Sequence, residues 1–386
     1  MTPGARVAAS IACLDRIFAG EPAEKVLTGW ARGARYAGSG DRAAVRDHVF
    51  DALRRRRSAA HAGGGTDGRA TMIGVLRLAG EDPAGVFTGD GHAPPPLTRD
   101  EAGYRSGPAP RAVALDCPDW LLPRLDAALG PRADAVLDAL RQRAALYLRV
   151  NLAACDRDAA IAALAADGIG AVPHPLSPTA LRVTEGGRGL RAAAAYADGR
   201  IEIQDAASQA VVDRLAVRPG ETVIDWCAGG GGKALALAAQ GARVAAHDAD
   251  PGRMADLPAR AARAGARIEV LPDGVPPDRR ADLVLCDAPC SGSGAWRRQP
   301  EAKWRLDEGA LDRLIATQAA ILDAAAPHVG PGGRLAYATC SLLAEENAAQ
   351  AEAFLTRHEN WRRADEMTLT PLDGGDGFYL AVFSRD

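Results

Sequence analysis

Between Arg6 and Arg57 apolar residues recur at helical intervals, Val7, Ile11, Leu14 and Phe18 in one stretch and Val45, Val49 and Leu53 in another. Such spacing puts them on one face of a helix. Asp41 stands where an N-cap would open the second helix, and a further helix is predicted around Ala70 to Leu78. The first part is therefore all helical. Gly89 to Pro110 is rich in Gly and Pro and lacks periodicity, as in a linker or ordered loop, which sets a domain boundary near residue 112. Beyond it, Leu121, Leu125 and Ala128, then Val136, Leu137 and Leu140, suggest a helix pair before the strand-like run Leu146 to Val150. A helix through Ile161 and Leu164, a strand at Leu181 to Val183 and an Asp198-Gly199 turn before Ile201 and Ile203 complete a small α/β subdomain over residues 113–204.

From residue 205 to 386 the pattern is regular. Apolar strands at Thr222 to Ile224, Val244 to Ala246, Leu283 to Leu285 and Leu335 to Tyr337 alternate with helices. That alternation predicts a parallel, doubly wound sheet of Rossmann type with buried strands.

Composition narrows the class. With 386 residues, 47% hydrophobic and 25% charged, the chain matches soluble globular proteins and is long enough for several domains. No apolar run approaches a bilayer span and Met1 to Ala12 has no signal-peptide pattern, so a cytoplasmic protein without a membrane partner is expected. The seven cysteines have no framework spacing and read as reduced thiols. The net charge of −3 gives no global pull toward nucleic acid, yet residues 1–60 carry eleven Lys or Arg against six acids. There Arg54 to Arg57 read either as a solvated helix end or as a phosphate-contacting patch. Lysine is nearly absent: Lys25, Lys233 and Lys303 stand against forty-three arginines.

Chemistry gathers at strand ends. Asp225-Trp-Cys-Ala-Gly-Gly-Gly-Gly-Lys233 follows one strand and precedes a helix, where glycines let backbone approach a ligand. A phosphate loop would need Ser or Thr after Lys233, and Ala234 stands there. Asp248, at the end of the next strand, suits a carboxylate accepting from ribose hydroxyls, or with Asp250 caps the helix near Pro251. Asp287-Ala-Pro-Cys290-Ser-Gly-Ser-Gly294 and Thr339-Cys340-Ser341 each carry a thiol off a strand. If these strands are neighbours, both thiols, Asp287 and the glycine loop share one cleft. Zinc is disfavoured by the dispersed histidines and the lone C-x3-C of Cys286 and Cys290.

These segments, with Ile203-Gln204-Asp205-Ala-Ala-Ser208-Gln209 and the closing Asp376-Gly377-Phe378-Tyr379, resemble the RsmB/Sun/Nop2 family of S-adenosylmethionine-dependent RNA cytosine-C5 methyltransferases. The resemblance covers roughly residues 115 to 386. The helical part looks like the NusB-type RNA-binding domain that some members carry. The family usually writes the loop with Ala-Pro and a closing Thr; here Gly229, Gly230 and Ala234 replace them, which predicts a more flexible loop.

The resemblance implies a class I methyltransferase fold and a covalent mechanism, with Cys340 as nucleophile to C6 of cytosine, Asp287 on the N3 side of the ring and Cys290 assisting breakdown of the adduct. S-adenosylmethionine would be held by Cys227, Ala228, Gly229, Gly230, Gly231, Gly232, Lys233, Asp248, Arg253, Asp273 and Asp287. The sulfurs of Cys227 and Cys286 read as core, and Lys233 is one candidate cation for lowering a thiol pKa. Amine methylation is disfavoured, because Asp-Pro-Pro-aromatic is missing at Asp287 to Cys290. Trp296, Arg297, Arg298, Lys303 and Trp304 offer stacking and phosphate contacts to RNA, or form a surface helix with an anchored Trp. Ribosomal RNA is the expected substrate and no obligate protein partner is evident. The alternatives are transfer RNA, or a catalytically silent RNA-binding assembly factor.

Overall fold

The helical intervals of the first part fold as α1 (Pro3–Phe18), α2 (Ala23–Gly33), α3 (Ser39–Arg54), α4 (Arg56–Gly63) and α5 (Gly68–Leu78) in the computed structural model, which describes residues 1–385. Their apolar stripes close on one core containing Val7, Leu14, Val26, Val45, Val49, Leu53, Met72, Ile73 and Phe87. Thr2 caps α1 and Asp67 caps α5, each accepting a backbone N–H three residues on. Asp41 is not the N-cap of α3. That helix starts after Gly38, and Asp41 sits in its first turn, accepting from the Gly38 amide and pairing with Arg6.

The helical unit comprises residues 1–126, 130–143 and 296–305; a second unit holds 127–129, 144–295 and 306–386. The segment 296–305 is integral to the first unit. Trp304 Nε1 donates to the Leu53 carbonyl at 2.7 Å, Arg54 Nε donates to the Arg297 carbonyl at 2.7 Å, and Glu301 accepts from the Ala23 amide at 3.1 Å. Trp296, Arg297 and Lys303 are buried, so of the two readings the sequence offers they fit an anchored Trp and not an exposed stacking and phosphate-binding surface. The run Arg54 to Arg57 is likewise largely engaged within the unit. Arg56 lies over the rings of Phe18 and Trp304, and Arg57 donates to the Cys117 carbonyl and pairs with Asp119.

The second unit contains two sheets. The smaller has the order β2-β3-β1-β4, from β1 (Tyr147–Val150), β2 (Ala171–Pro173), β3 (Ala180–Val183) and β4 (Ile201–Ile203), with β1 antiparallel to both β3 and β4. The larger comprises β5 (Thr222–Asp225), β6 (Arg243–Ala246), β7 (Ile268–Val270), β8 (Ala281–Asp287), β9 (Val329–Thr339), β10 (Trp361–Leu369) and β11 (Phe378–Arg385). Its order is β10-β11-β9-β8-β5-β6-β7. Five strands are parallel, as the alternation predicts. The sheet is nonetheless mixed, because β11 runs antiparallel to β9 and β10 antiparallel to β11.

Period-two burial explains the layers. Val223, Leu283, Leu285, Ala336 and Ala338 pack on one face with Val211, Val212 and Leu237. Ile224, Val284, Cys286, Leu335 and Tyr337 pack on the other with Leu322 and Phe354. The chain leaves β5 for β6 on one side while β8 lies on the other, so a crevice opens at the carboxyl end of β5.

Candidate active site

Asp225 ends β5, Asp287 ends β8 and Thr339 ends β9, so the three motifs leave adjacent parallel strands at one edge. The register fixes their heights: Asp225 pairs with Leu285, and Asp287 with Ala338. One residue past β9 and three past β8, the thiols meet, with Cys290 Sγ 3.5 Å from Cys340 Sγ. Both cysteines are half-buried. The Cys290 thiol is pushed well above its ordinary value, first by its hydrogen bond with Cys340 and then by burial. Either sulfur can be the donor in this contact. Burial, reinforced by nearby carboxylates, likewise raises Cys227 and Cys286 and keeps them as thiols.

Lys233 opens the helix after the glycine loop and reaches back beneath the cleft. Its Nζ donates to Asp287 Oδ2 at 2.6 Å and lies 5.0 Å from the centre of the Phe378 ring. Burial opposes its charge, but Asp287, Asp225 and Cys340 together hold it above its ordinary value. A retained lysine thus counters the acids and faces the nucleophile candidate. Asp225 is wholly buried, and both its carboxylate oxygens lack a hydrogen-bond partner among the described residues. Burial and the charge of Asp287, opposed by Lys233, raise it to about 7. The sequence reading left Asp225 out of the site; its place between a strand end and the glycine run was the available signal.

The glycine loop turns on Gly229 and Gly231, at φ of 50° and 79°. A Cβ on Gly231 would lie 2.2 Å from Leu257 Cδ1, so a larger residue there would displace that side chain as well as strain the backbone. Asp248 accepts from the Gly229 amide at 2.9 Å and the Asp250 amide at 3.0 Å, and pairs with Arg253 at 3.0 Å. It anchors the loop, while Asp250 caps the following turn. Asp273 stands exposed on the loop after β7. The orphan Asp225 carboxylate fits the ammonium group of an amino-acid moiety, and Asp248 has acceptor capacity for a hydroxyl where half-exposed Arg253 yields. Among the described residues no cluster of three His, Cys, Asp or Glu could hold a metal ion.

Glu346 is a further site residue that the sequence reading missed. Fully buried, it accepts from the Ser291 amide at 2.7 Å, from Gln318 Nε2 at 3.0 Å, and from the hydroxyls of Ser291 and Ser341. Ser291 follows Cys290 and Ser341 follows Cys340, so one carboxylate fastens both thiol loops. The remaining motifs interlock. Asp205 accepts from the Ala207 and Asp376 amides, Gly377 donates to the Gly294 carbonyl, and Gly294 donates to that of Cys340.

Comparison with known proteins decides the family. A model of 16S rRNA methyltransferase RsmB/F matches residues 212–382, and one of the RsmF/B-like ferredoxin-like domain matches residues 117–188. This chain belongs to the RsmB/F methyltransferase family. Among its relatives, a Ribosomal RNA small subunit methyltransferase B of Erwinia tasmaniensis is 39% identical over 280 residues, 68% of this chain and 65% of that protein. The chain spans 65–66% of the length of the curated relatives it matches. Two solved structures show the fold. PH0851 superposes with a TM-score of 0.79 at 23% identity, covering 100% of this chain and 99% of that one. A methyltransferase homolog protein from Pyrococcus horikoshii gives 0.63 at 21% identity, covering 72% and 98%. Among the described residues no helix of this RsmB/F-family chain is long and apolar enough to cross a membrane.

Proposed function

We propose that this chain is an S-adenosylmethionine-dependent cytosine-C5 methyltransferase of small-subunit ribosomal RNA, acting through a covalent adduct on Cys340. The observation that carries the reading is the thiol pair, 3.5 Å apart, at the strand edge that also holds the Lys233–Asp287 ion pair. The names of the relatives support the substrate. Asp225, Asp248 and the loop Gly229 to Gly232 would hold the cofactor, which supplies an activated methyl group for C5.

Cytosine C5 is a weak nucleophile. Addition of the Cys340 thiolate to C6 moves the C5–C6 electron pair toward C5 and N3, and Asp287, steadied by Lys233, meets the N3 side of the ring. After C5 is methylated, loss of its proton and expulsion of the Cys340 thiolate restore the double bond. Cys290, 3.5 Å from the Cys340 sulfur, takes that proton as a thiolate, having first given its own proton to solvent. The target cytosine must leave its stack to reach the thiols.

The test is transfer of labelled methyl groups from S-adenosylmethionine to 16S ribosomal RNA, with bisulfite mapping of the product. Cys340→Ala abolishes transfer, and Cys290→Ala accumulates a protein–RNA species that survives denaturing electrophoresis. Unimpaired turnover by Cys340→Ala rejects the mechanism, and a mapped position in transfer RNA replaces the substrate.

A further inference from the structure

Four consecutive glycines surrender more backbone freedom on ordering than other residues do, so a loop built from them needs fixing from outside. Two guanidinium groups provide it. Arg149, buried in β1, donates to the Gly232 carbonyl at 2.7 Å and to Gln204 Oε1 at 2.6 Å. Arg260 donates to the Gly230 carbonyl and pairs with Glu202 at 3.0 Å. Glu202, also buried, is the cross-strand partner of Arg149 in β4 and receives Arg263 as well. One face of the small antiparallel sheet is therefore wired to alternate carbonyls of the loop. The greater flexibility expected from the Gly229-Gly230 replacement is countered by these contacts.

We propose that Arg149 and Arg260, seated on Gln204 and Glu202, are positioning residues that hold the glycine loop in its ligand-binding shape, so that the small sheet sets cofactor affinity without touching cofactor. The proposal rests on the function proposed above. A Cβ on Gly230 would lie 3.1 Å from Arg260 Nη1 with no other atom within 4 Å, and Gly230 is not among the positive-φ glycines. Alanine at this position should therefore act in opposite directions depending on whether Arg260 is present.

Calorimetric titration of the full chain with S-adenosylmethionine tests this. Arg260→Ala weakens binding at least about tenfold, and Arg260→Lys recovers part of the loss. Arg263 still pairs with Glu202, so that carboxylate is not orphaned. Gly230→Ala weakens binding in the parent chain, by crowding Arg260, but strengthens it in the Arg260→Ala chain, where the crowding atom is gone and alanine has less freedom to lose. A purely structural arginine would lower the unfolding temperature without that reversal of sign. Unchanged affinity in Arg260→Ala, or one direction of effect in both backgrounds, overturns the proposal while leaving the proposed function standing. A parent chain that binds no S-adenosylmethionine overturns both.

Discussion

Lys233 Nζ lies 2.6 Å from Asp287 Oδ2, joining the helix after the glycine loop to the strand that leads to Cys290. The same ammonium offsets the buried charge of Asp225 and feels the sulfur of Cys340. Lys233→Met removes the cation that pairs with Asp287 and offsets Asp225. Under the proposed mechanism turnover falls by about tenfold to a hundredfold, because Asp287 loses its charged hydrogen-bond partner. Single-turnover kinetics of parent and variant check this; unchanged turnover takes Lys233 out of the reaction.

Glu346→Gln puts an amide where four donors converge. At about 1–3 kcal/mol for each mismatched buried group, kcat falls about tenfold to a hundredfold as the thiol loops lose register. Affinity for S-adenosylmethionine stays within about twofold, because no contact of Glu346 reaches the glycine loop. Single-turnover kinetics beside calorimetry separates the two effects.

Asp225→Asn has a pH signature. The folded carboxyl titrates at about 7 against an ordinary 3.8, so the folded state binds this proton more tightly than the unfolded state. Between those values stability falls as pH rises, and above about pH 7 the whole cost of the buried charge is present. The variant without ligand is therefore more stable than the parent at pH 8, with the gain vanishing by about pH 4. It also loses the carboxylate that fits an ammonium group, so S-adenosylmethionine binding weakens. Thermal unfolding at the two pH values, with and without S-adenosylmethionine, reads both.

Trp304→Ala removes a ring that packs with Arg56 and Lys303 and a hydrogen bond to Leu53. The helical unit loses about 3 kcal/mol, seen as a lower unfolding temperature of the full chain. RNA affinity measured below that transition changes little, whereas a stacking role would reverse the two results.

The sheet was legible because buried parallel strands are apolar throughout and their ends carry conspicuous residues: the Gly229 to Gly232 run, Asp287 before Pro289, and Cys340 between Thr339 and Ser341. β10 gave no such signal, and β11, apolar from Phe378 to Phe383, has no α-helix between it and β10 to continue the alternation. The outer faces of β10 are exposed and polar, and antiparallel pairing depends on the distant partner β9. Side chains consumed by long-range contacts were the hardest to read. Arg54 and Trp304 are basic and aromatic in the sequence, as an RNA-binding surface would be, yet the structure directs them to carbonyls of Arg297 and Leu53. Glu346 looked like one acid in a polar turn, since its four donors come from three separate segments. Arg149 and Glu202 were hidden similarly, as alternate residues of two short strands whose pairing faces the loop.

Leu53 and Trp304, joined by a hydrogen bond, are 251 positions apart along the chain. The segment that carries Trp304 is made after β5 to β8, so the contact it gives the helical bundle cannot form until most strands of the larger sheet have been synthesised.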